Sequence, residues 1–173
     1  SDIERNSEAL LALGGKVVRC TILFSDIRGF TRISERMDPQ QVVAFLNEYM
    51  TAMVQVIDSE GGLVDKFIGD GIMAVFNPAD DHPDGARDAL RAVRCGIGMQ
   101  KRIQELKQRW VSTRPEVAEL QVRVGINSGE VVAGRIGAET RMDYTVVGDN
   151  VNVASRIESN GAGGEVHISE STY

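Results

Sequence analysis

The chain has 173 residues, 42% of them apolar and 25% charged, enough to bury the core of one globular domain and too few for two of ordinary size. Nineteen Lys and Arg against 25 Asp and Glu leave a formal charge of −6, which disfavours a broad surface for nucleic acid or anionic membrane, so any phosphate ligand must be held locally. The longest apolar runs, such as residues 72–76, fall far short of the ~20 residues of a membrane-spanning helix, and no signal peptide is evident. Cys20 and Cys95 each sit in a periodic apolar segment, as small core residues do, so the expected setting is reduced and cytosolic, with no membrane contact by this domain.

Residues 1–15 read as a short polar helix closed by Gly-Gly, a linker or the end of an upstream signalling helix. Residues 17–24 form a β-rich apolar run. It ends in a tight turn over residues 25–31, where a glycine and a capping hydroxyl open a helix and Asp26 closes the strand. Asp38-Pro39 supplies an N-cap and a first-turn proline, and Val42, Val43, Leu46, Tyr49, Met50, Met53 and Ile57 recur at helical spacing up to Gly61-Gly62. Residues 63–68 and 72–76 are two strands joined by Gly69-Asp70-Gly71, where Asp-Gly is a strong hairpin signal. A polar loop over residues 77–85 leads to a second helical stripe: Leu90, Val93, Ile97, Ile103, Leu106 and Trp110. Residues 120–126 and 129–134 read as strands around Asn127-Ser128, residues 144–147 as another, residues 151–159 as a helix entered through Gly148-Asp149-Asn150, and residues 165–169 as a last strand.

This order predicts an α+β fold, a ferredoxin-like or palm-type sandwich with a mostly antiparallel sheet and helices on one face. The domain is expected over residues 16–173, within a longer polypeptide whose upstream part is a sensor and whose further tail completes the sheet.

Asp26 at the end of the first strand and Asp70 at the hairpin tip carry the first chemistry. If their strands are neighbours, about 4.8 Å apart, both carboxylates enter one small volume, where a hard divalent cation relieves their repulsion. A lone Asp beside Gly is ordinarily a turn residue; the pairing argues otherwise. The adjoining segment, Ile27 to Thr31, precedes a helix, so its backbone N–H groups favour an anion such as a polyphosphate. Together these features point to a metal-bound nucleoside triphosphate and to the two-metal palm of polymerases.

Four co-linear blocks give this reading a family. Phe24-Ser-Asp-Ile-Arg-Gly-Phe-Thr31, Asp65-Lys-Phe-Ile-Gly-Asp-Gly-Ile-Met-Ala74, Val122-Arg-Val-Gly-Ile-Asn-Ser-Gly-Glu130 and Val147-Gly-Asp-Asn-Val-Asn-Val-Ala-Ser-Arg156 resemble the signature blocks of class III nucleotidyl cyclase catalytic domains of the bacterial homodimeric type. The resemblance implies that Asp26 and Asp70, with the backbone carbonyl of Ile27, bind two divalent cations, Mg²⁺ or Mn²⁺. Gly29, Phe30 and Thr31 of the segment before the helix are the expected phosphate contacts, and the resemblance implies that Asn152 orients the ribose and Arg156 neutralises the α-phosphate, and that Arg123 approaches the terminal phosphates. Asn152 and Arg156, four apart, share one helix face. Lys66 stands where adenylate cyclases carry Lys and guanylate cyclases Glu, and Thr145 where bacterial adenylate cyclases carry Thr. An ammonium donates to adenine N1, and a threonine oxygen accepts from the adenine 6-amino group.

The implied activity is conversion of ATP to 3′,5′-cyclic AMP and pyrophosphate. In the family the metal aspartates come from one subunit and the base-selecting pair, Asn and Arg from the other. All are present here, so the resemblance implies a homodimer with two composite sites. The alternatives are a guanylate or dual-specificity cyclase, since a threonine hydroxyl also donates, and a non-catalytic nucleotide-binding regulatory domain, in which one of these residues is typically lost. The late basic residue that the family uses for the terminal phosphate is not in this sequence. His82, His167, Trp110 and the methionines read as structural, and Asp149 as a turn or cap residue.

Overall fold

The computed structural model describes Glu4, residues 14–79 and residues 84–173. The polar helix expected over residues 1–15 lies almost wholly outside these residues, as does His82.

Strand β1 (Lys16–Arg28) runs four residues beyond its expected end, because Ser25 to Arg28 stay paired with a later strand. Asp26 therefore sits within the strand. Gly29 ends it with φ +82°, a left-handed conformation that suits glycine, and opens the short α1 (Phe30–Ser34) without any side-chain cap, so the expected capping hydroxyl is not used. Helix α2 (Pro39–Ser59) starts as the sequence predicts: the Asp38 carboxylate accepts from the Gln40 N–H at 3.2 Å, and Pro39 fills the first position. Strands β2 (Leu63–Ile68) and β3 (Gly71–Phe76) form the expected hairpin, but the loop residues are Gly69 and Asp70, with the positive φ of +60° at Gly69 and closure at Ile68 opposite Gly71. Gly-Asp rather than Asp-Gly makes this turn, and Asp70 stands at its tip.

Helix α3 (Gly85–Trp110) is capped by Asp84, which accepts from the Arg87 N–H at 3.1 Å. Its buried stripe is Ala89, Ala92, Cys95, Met99, Ile103, Leu106 and Trp110; the expected members Leu90 and Ile97 face outward. After a 3-10 turn (Pro115–Glu119), β4 (Gln121–Ala138) is a single strand of 18 residues where two had been expected. Then follow β5 (Arg141–Val147), α4 (Asp149–Asn160) and β6 (Val166–Ile168). Gly148 holds the N-cap of α4, so Asp149 lies in its first turn, where a negative charge suits the helix dipole.

Among the described residues, six strands form one sheet in the order β2-β3-β1-β4-β5, all antiparallel, with β6 added parallel to the start of β4 at Val124 to Ile126. The run β2-β3-β1-β4 with two helical crossovers is the ferredoxin-like core. Alternation divides the strands between two hydrophobic clusters. Leu23, Ile27, Ile72, Ala74, Phe76, Val122, Val124 and Ile126 pack on α2 and α3, and Val18, Cys20, Ile22, Met73, Val75, Val131, Ala133 and Val146 pack with Ala154 of α4. The long helices thus cover one face as expected, while α4 covers the other. Both cysteines are buried thiols outside any disulfide, and burial pushes Cys95 up to about 12, the behaviour of an inert core residue. No helix among the described residues is long and apolar enough to cross a membrane.

The sheet curls around this second cluster. Val146 of one edge strand packs with Met73 and Val75 of the hairpin at the other edge, and Thr145 beside it reaches Asp65 on β2. That curl positions the site.

Candidate active site

Asp26 and Arg123 are directly opposed on β1 and β4. The guanidinium grips the carboxylate with both arms, Nε to Oδ1 at 2.9 Å and Nη2 to Oδ2 at 2.6 Å, while Nη1 donates to the Ser159 carbonyl at 2.9 Å. The hairpin tip hangs over the same place: Asp70 Oδ2 accepts from the Ile27 N–H at 2.9 Å. The predicted aspartates therefore meet at one end of β1, together with Arg123.

Two further groups at this end were not foreseen. Glu158 of α4 points at the pair, its Oε1 3.3 Å from Arg123 Nε, and only 6% of the residue is exposed. Burial first, then a proton shared with Asp26 and the charge of Asp26, pushes Glu158 up to about 8, against the pull of Arg123. Arg123 is held more firmly protonated by its bonds to Asp26. Tyr49 is buried below, its ionisation suppressed by burial and by Asp70 and Asp26. Three carboxyls thus crowd one guanidinium, an arrangement that a divalent cation would relieve.

Among the described residues, no three His, Cys, Asp or Glu side chains are arranged to hold a metal on their own. A Mg²⁺ ion is commonly bound through one or two carboxylates and completed by water and substrate phosphates rather than by an all-protein cage. Asp26 and Asp70 have that composition. Beyond them, Gly29, Phe30 and Thr31 form the bend into α1; the Phe30 ring is anchored on Phe45 at 6.1 Å between centroids, and Thr31 is exposed.

The expected base-selecting residues also meet. Thr145 Oγ1 donates to Asp65 Oδ2 at 2.8 Å, and Lys66 Nζ lies 3.5 Å from the same oxygen. Asp65 is the extra residue of a bulge, where pairing shifts from Val64 opposite Ala74 to Lys66 opposite Met73. Its side chain is 4% exposed, whereas that of Lys66 is 48% exposed.

Asn152 and Arg156 do not join the aspartates. The sheet-facing residues of α4 are Ala154 and Glu158, and Arg156 lies two positions from each, about 200° around the helix axis. Asn152 is half-buried and Arg156 exposed, with no ion pair for its guanidinium among the described residues. Close packing fixes this orientation. A Cβ on Gly125 would lie 2.2 Å from the Glu158 backbone nitrogen, so only glycine lets α4 approach β4 here. At the other end of the helix, Asn127 Nδ2 donates to the Asn150 carbonyl at 2.9 Å.

His167 and Trp110 have structural partners. His167 pairs with Glu165 at 2.7 Å, and Trp110 Nε1 donates to Glu48 at 2.8 Å.

Known proteins resemble this chain closely. A sequence model of the adenylate and guanylate cyclase catalytic domain matches residues 15–173. An adenylate cyclase of Anabaena cylindrica is 44% identical over 142 residues, 81% of this chain and 27% of that protein; the chain covers 20% of adenylate cyclase 1 of Rhizobium meliloti, at 37% identity. The chain thus spans about a quarter or less of these curated relatives. The crystal structure of the adenylyl cyclase CyaB from P. aeruginosa superimposes with a TM-score of 0.84 at 42% identity, covering 92% of this chain and 80% of that one. The guanylyl cyclase Cya2 superimposes with a TM-score of 0.83 at 45% identity, covering 91% and 78%. Overall likeness therefore does not choose between the two bases, but it fixes the kinship: the chain belongs to the family of adenylate and guanylate cyclase catalytic domains.

Proposed function

We propose that the chain is an adenylate cyclase domain that converts ATP to 3′,5′-cyclic AMP and pyrophosphate at two sites shared across a homodimer. The observation that carries the reading is the division of the residues within one chain. Asp26, Asp70 and Arg123 converge at one end of β1, while Asn152 and Arg156 occupy the outward side of α4, the division expected if they serve a second subunit's aspartates.

Asp26, Asp70 and the Ile27 carbonyl would hold two divalent cations, Mg²⁺ or Mn²⁺, which supply Lewis-acid activation of the ribose 3′-hydroxyl and charge neutralisation on the phosphates. Arg123, released from Asp26, turns to the terminal phosphates, and the N–H groups at Gly29, Phe30 and Thr31 receive phosphate oxygens. From the partner subunit, Asn152 orients the ribose so that the 3′-oxygen attacks the α-phosphorus in line. Arg156 compensates the charge that develops there as the bond to pyrophosphate breaks. Lys66 and Thr145, next to each other at Asp65, read the base: an ammonium donor for adenine N1 and a hydroxyl oxygen for its 6-amino group. An upstream sensor in a longer polypeptide and a cytoplasmic setting complete the reading, the former supported by the small share of its relatives that the chain spans.

The test is product formation from ATP and from GTP, each with Mg²⁺ or Mn²⁺, over a protein dilution series. Cyclic AMP with specific activity falling on dilution is expected. Preferential cyclic GTP would overturn the base assignment, and no cyclic product from either nucleotide would favour a nucleotide-binding regulatory domain.

A further inference from the structure

We infer that Asp65 is a specificity-determining residue: by accepting the Thr145 hydroxyl proton, it turns Thr145 into an acceptor toward the base and so excludes guanine. The inference rests on the adenine reading above and extends it to a residue that itself need not touch the nucleotide.

A threonine hydroxyl is ambivalent, with one proton to donate and lone pairs to accept. Alone at a base-reading position it serves adenine, whose 6-amino group donates, and equally guanine, whose O6 accepts. Here that freedom is removed. Thr145 Oγ1 lies 2.8 Å from Asp65 Oδ2, and an ionised carboxylate only accepts, so the proton is committed to Asp65. The remaining lone pairs of Thr145 match an amino donor and oppose a carbonyl oxygen.

Two features make this a built arrangement. Asp65 occupies the bulge of β2, and a bulge re-aims one side chain out of the alternation of its strand. The carboxylate is also almost fully enclosed, at 4% exposure, with Thr145 itself 6% exposed, so water competes weakly for the bond. Its charge is offset by Lys66, whose ammonium 3.5 Å away is the donor for adenine N1. One carboxylate thus holds an acceptor and a donor side by side, the complement of the adenine Watson–Crick edge. Guanine offers N1–H to the ammonium and O6 to the threonine lone pairs, so both contacts repel.

The test is Asp65→Asn, which keeps the shape of the side chain. Its amide can donate to Thr145 Oγ1 and free the hydroxyl proton for guanine O6. The ratio of kcat/KM for GTP to that for ATP should rise about 10-fold or more, the scale of one mispaired polar contact. In a Thr145→Val background, Asp65→Asn should leave the ratio unchanged, because no hydroxyl remains to be oriented. Size-exclusion elution and melting temperature identify folded, dimeric variants. If Asp65→Asn lowers both substrates in the same proportion, or shifts the ratio equally with Val at position 145, Asp65 only supports the fold and the inference is wrong. The unsubstituted protein separates the two readings: preference for GTP there overturns the adenine assignment, whereas preference for ATP with an unchanged ratio in Asp65→Asn overturns only the role of Asp65.

Discussion

Replacing Glu158 by Gln should stabilise the metal-free protein at alkaline pH and leave it unchanged at acid pH. Glu158 is enclosed beside Asp26 and lies at about 8 in the folded chain, well above its ordinary 4.5. The folded state therefore binds a proton that the unfolded state releases. The contribution of Glu158 to stability is complete below pH 4.5 and is lost as the pH rises through about 8. At about 1.4 kcal/mol per pH unit, the window sets a ceiling near 5 kcal/mol. Asp26 and Arg123 keep about a quarter of their side chains exposed, and that access to water reduces the expected effect to about 1–2 kcal/mol. For a domain of this size that is about 2–8 °C in melting temperature. Glutamine mimics the protonated form, so thermal melting in EDTA should give equal values for the two proteins near pH 5 and the higher value for Glu158→Gln near pH 8. Mg²⁺ should narrow the gap by neutralising the same charges. A separation between the two proteins that does not change from pH 5 to pH 8 would refute the account of this cluster.

Gly125→Ala places a methyl group 2.2 Å from the Glu158 nitrogen and forces α4 away from β4; about 2–3 kcal/mol of stability should be lost, with cyclase activity falling further than the folded fraction, as circular dichroism melting and turnover at low temperature would report. Trp110→Phe removes the Nε1 bond to Glu48 and part of the contact with Phe45, 4.7 Å away between ring centroids. It should cost about 1–3 kcal/mol in urea unfolding.

The parts of the fold written in local signals were legible in the sequence. Asp38-Pro39 and Gly61-Gly62 bound α2 because a cap, a fixed φ and a chain reversal each act within a few residues. Asn127-Ser128 misled because turn-forming side chains here have distant partners. Ser128 bonds Thr21 at 2.8 Å and Thr172 at 2.9 Å, and Asn127 bonds Asn150 and Ser171, so the strand runs on through them. Leu90 and Ile97 misled for the opposite reason, since an apolar residue at helical spacing need not face inward.

At the site, Asp26, Asp70 and Arg123 could be matched one by one to sequence blocks, and strand pairing brings them together. Asp65 and Glu158 could not. The first acts through a bulge and the curl of the sheet, which bring opposite edges into contact; the second acts through a helix seated on Gly125, which depends on the whole sheet being in place. Glu158 left one trace in the sequence, its four-residue spacing from Ala154, and Asp65 left only its place beside Lys66.

The division of the active site between two chains is the central claim, and mixing two inactive variants tests it most directly. Asp26→Ala lacks a metal ligand and Arg156→Ala lacks the phosphate-facing guanidinium; each alone should be nearly inactive. In an equimolar mixture of the two, half the dimers pair one of each and carry one intact composite site, so about a quarter of the unsubstituted activity should return if subunits exchange freely. Failure of the mixture to exceed the separate variants, with both folded and mixed dimers present by native mass spectrometry, would contradict the shared site.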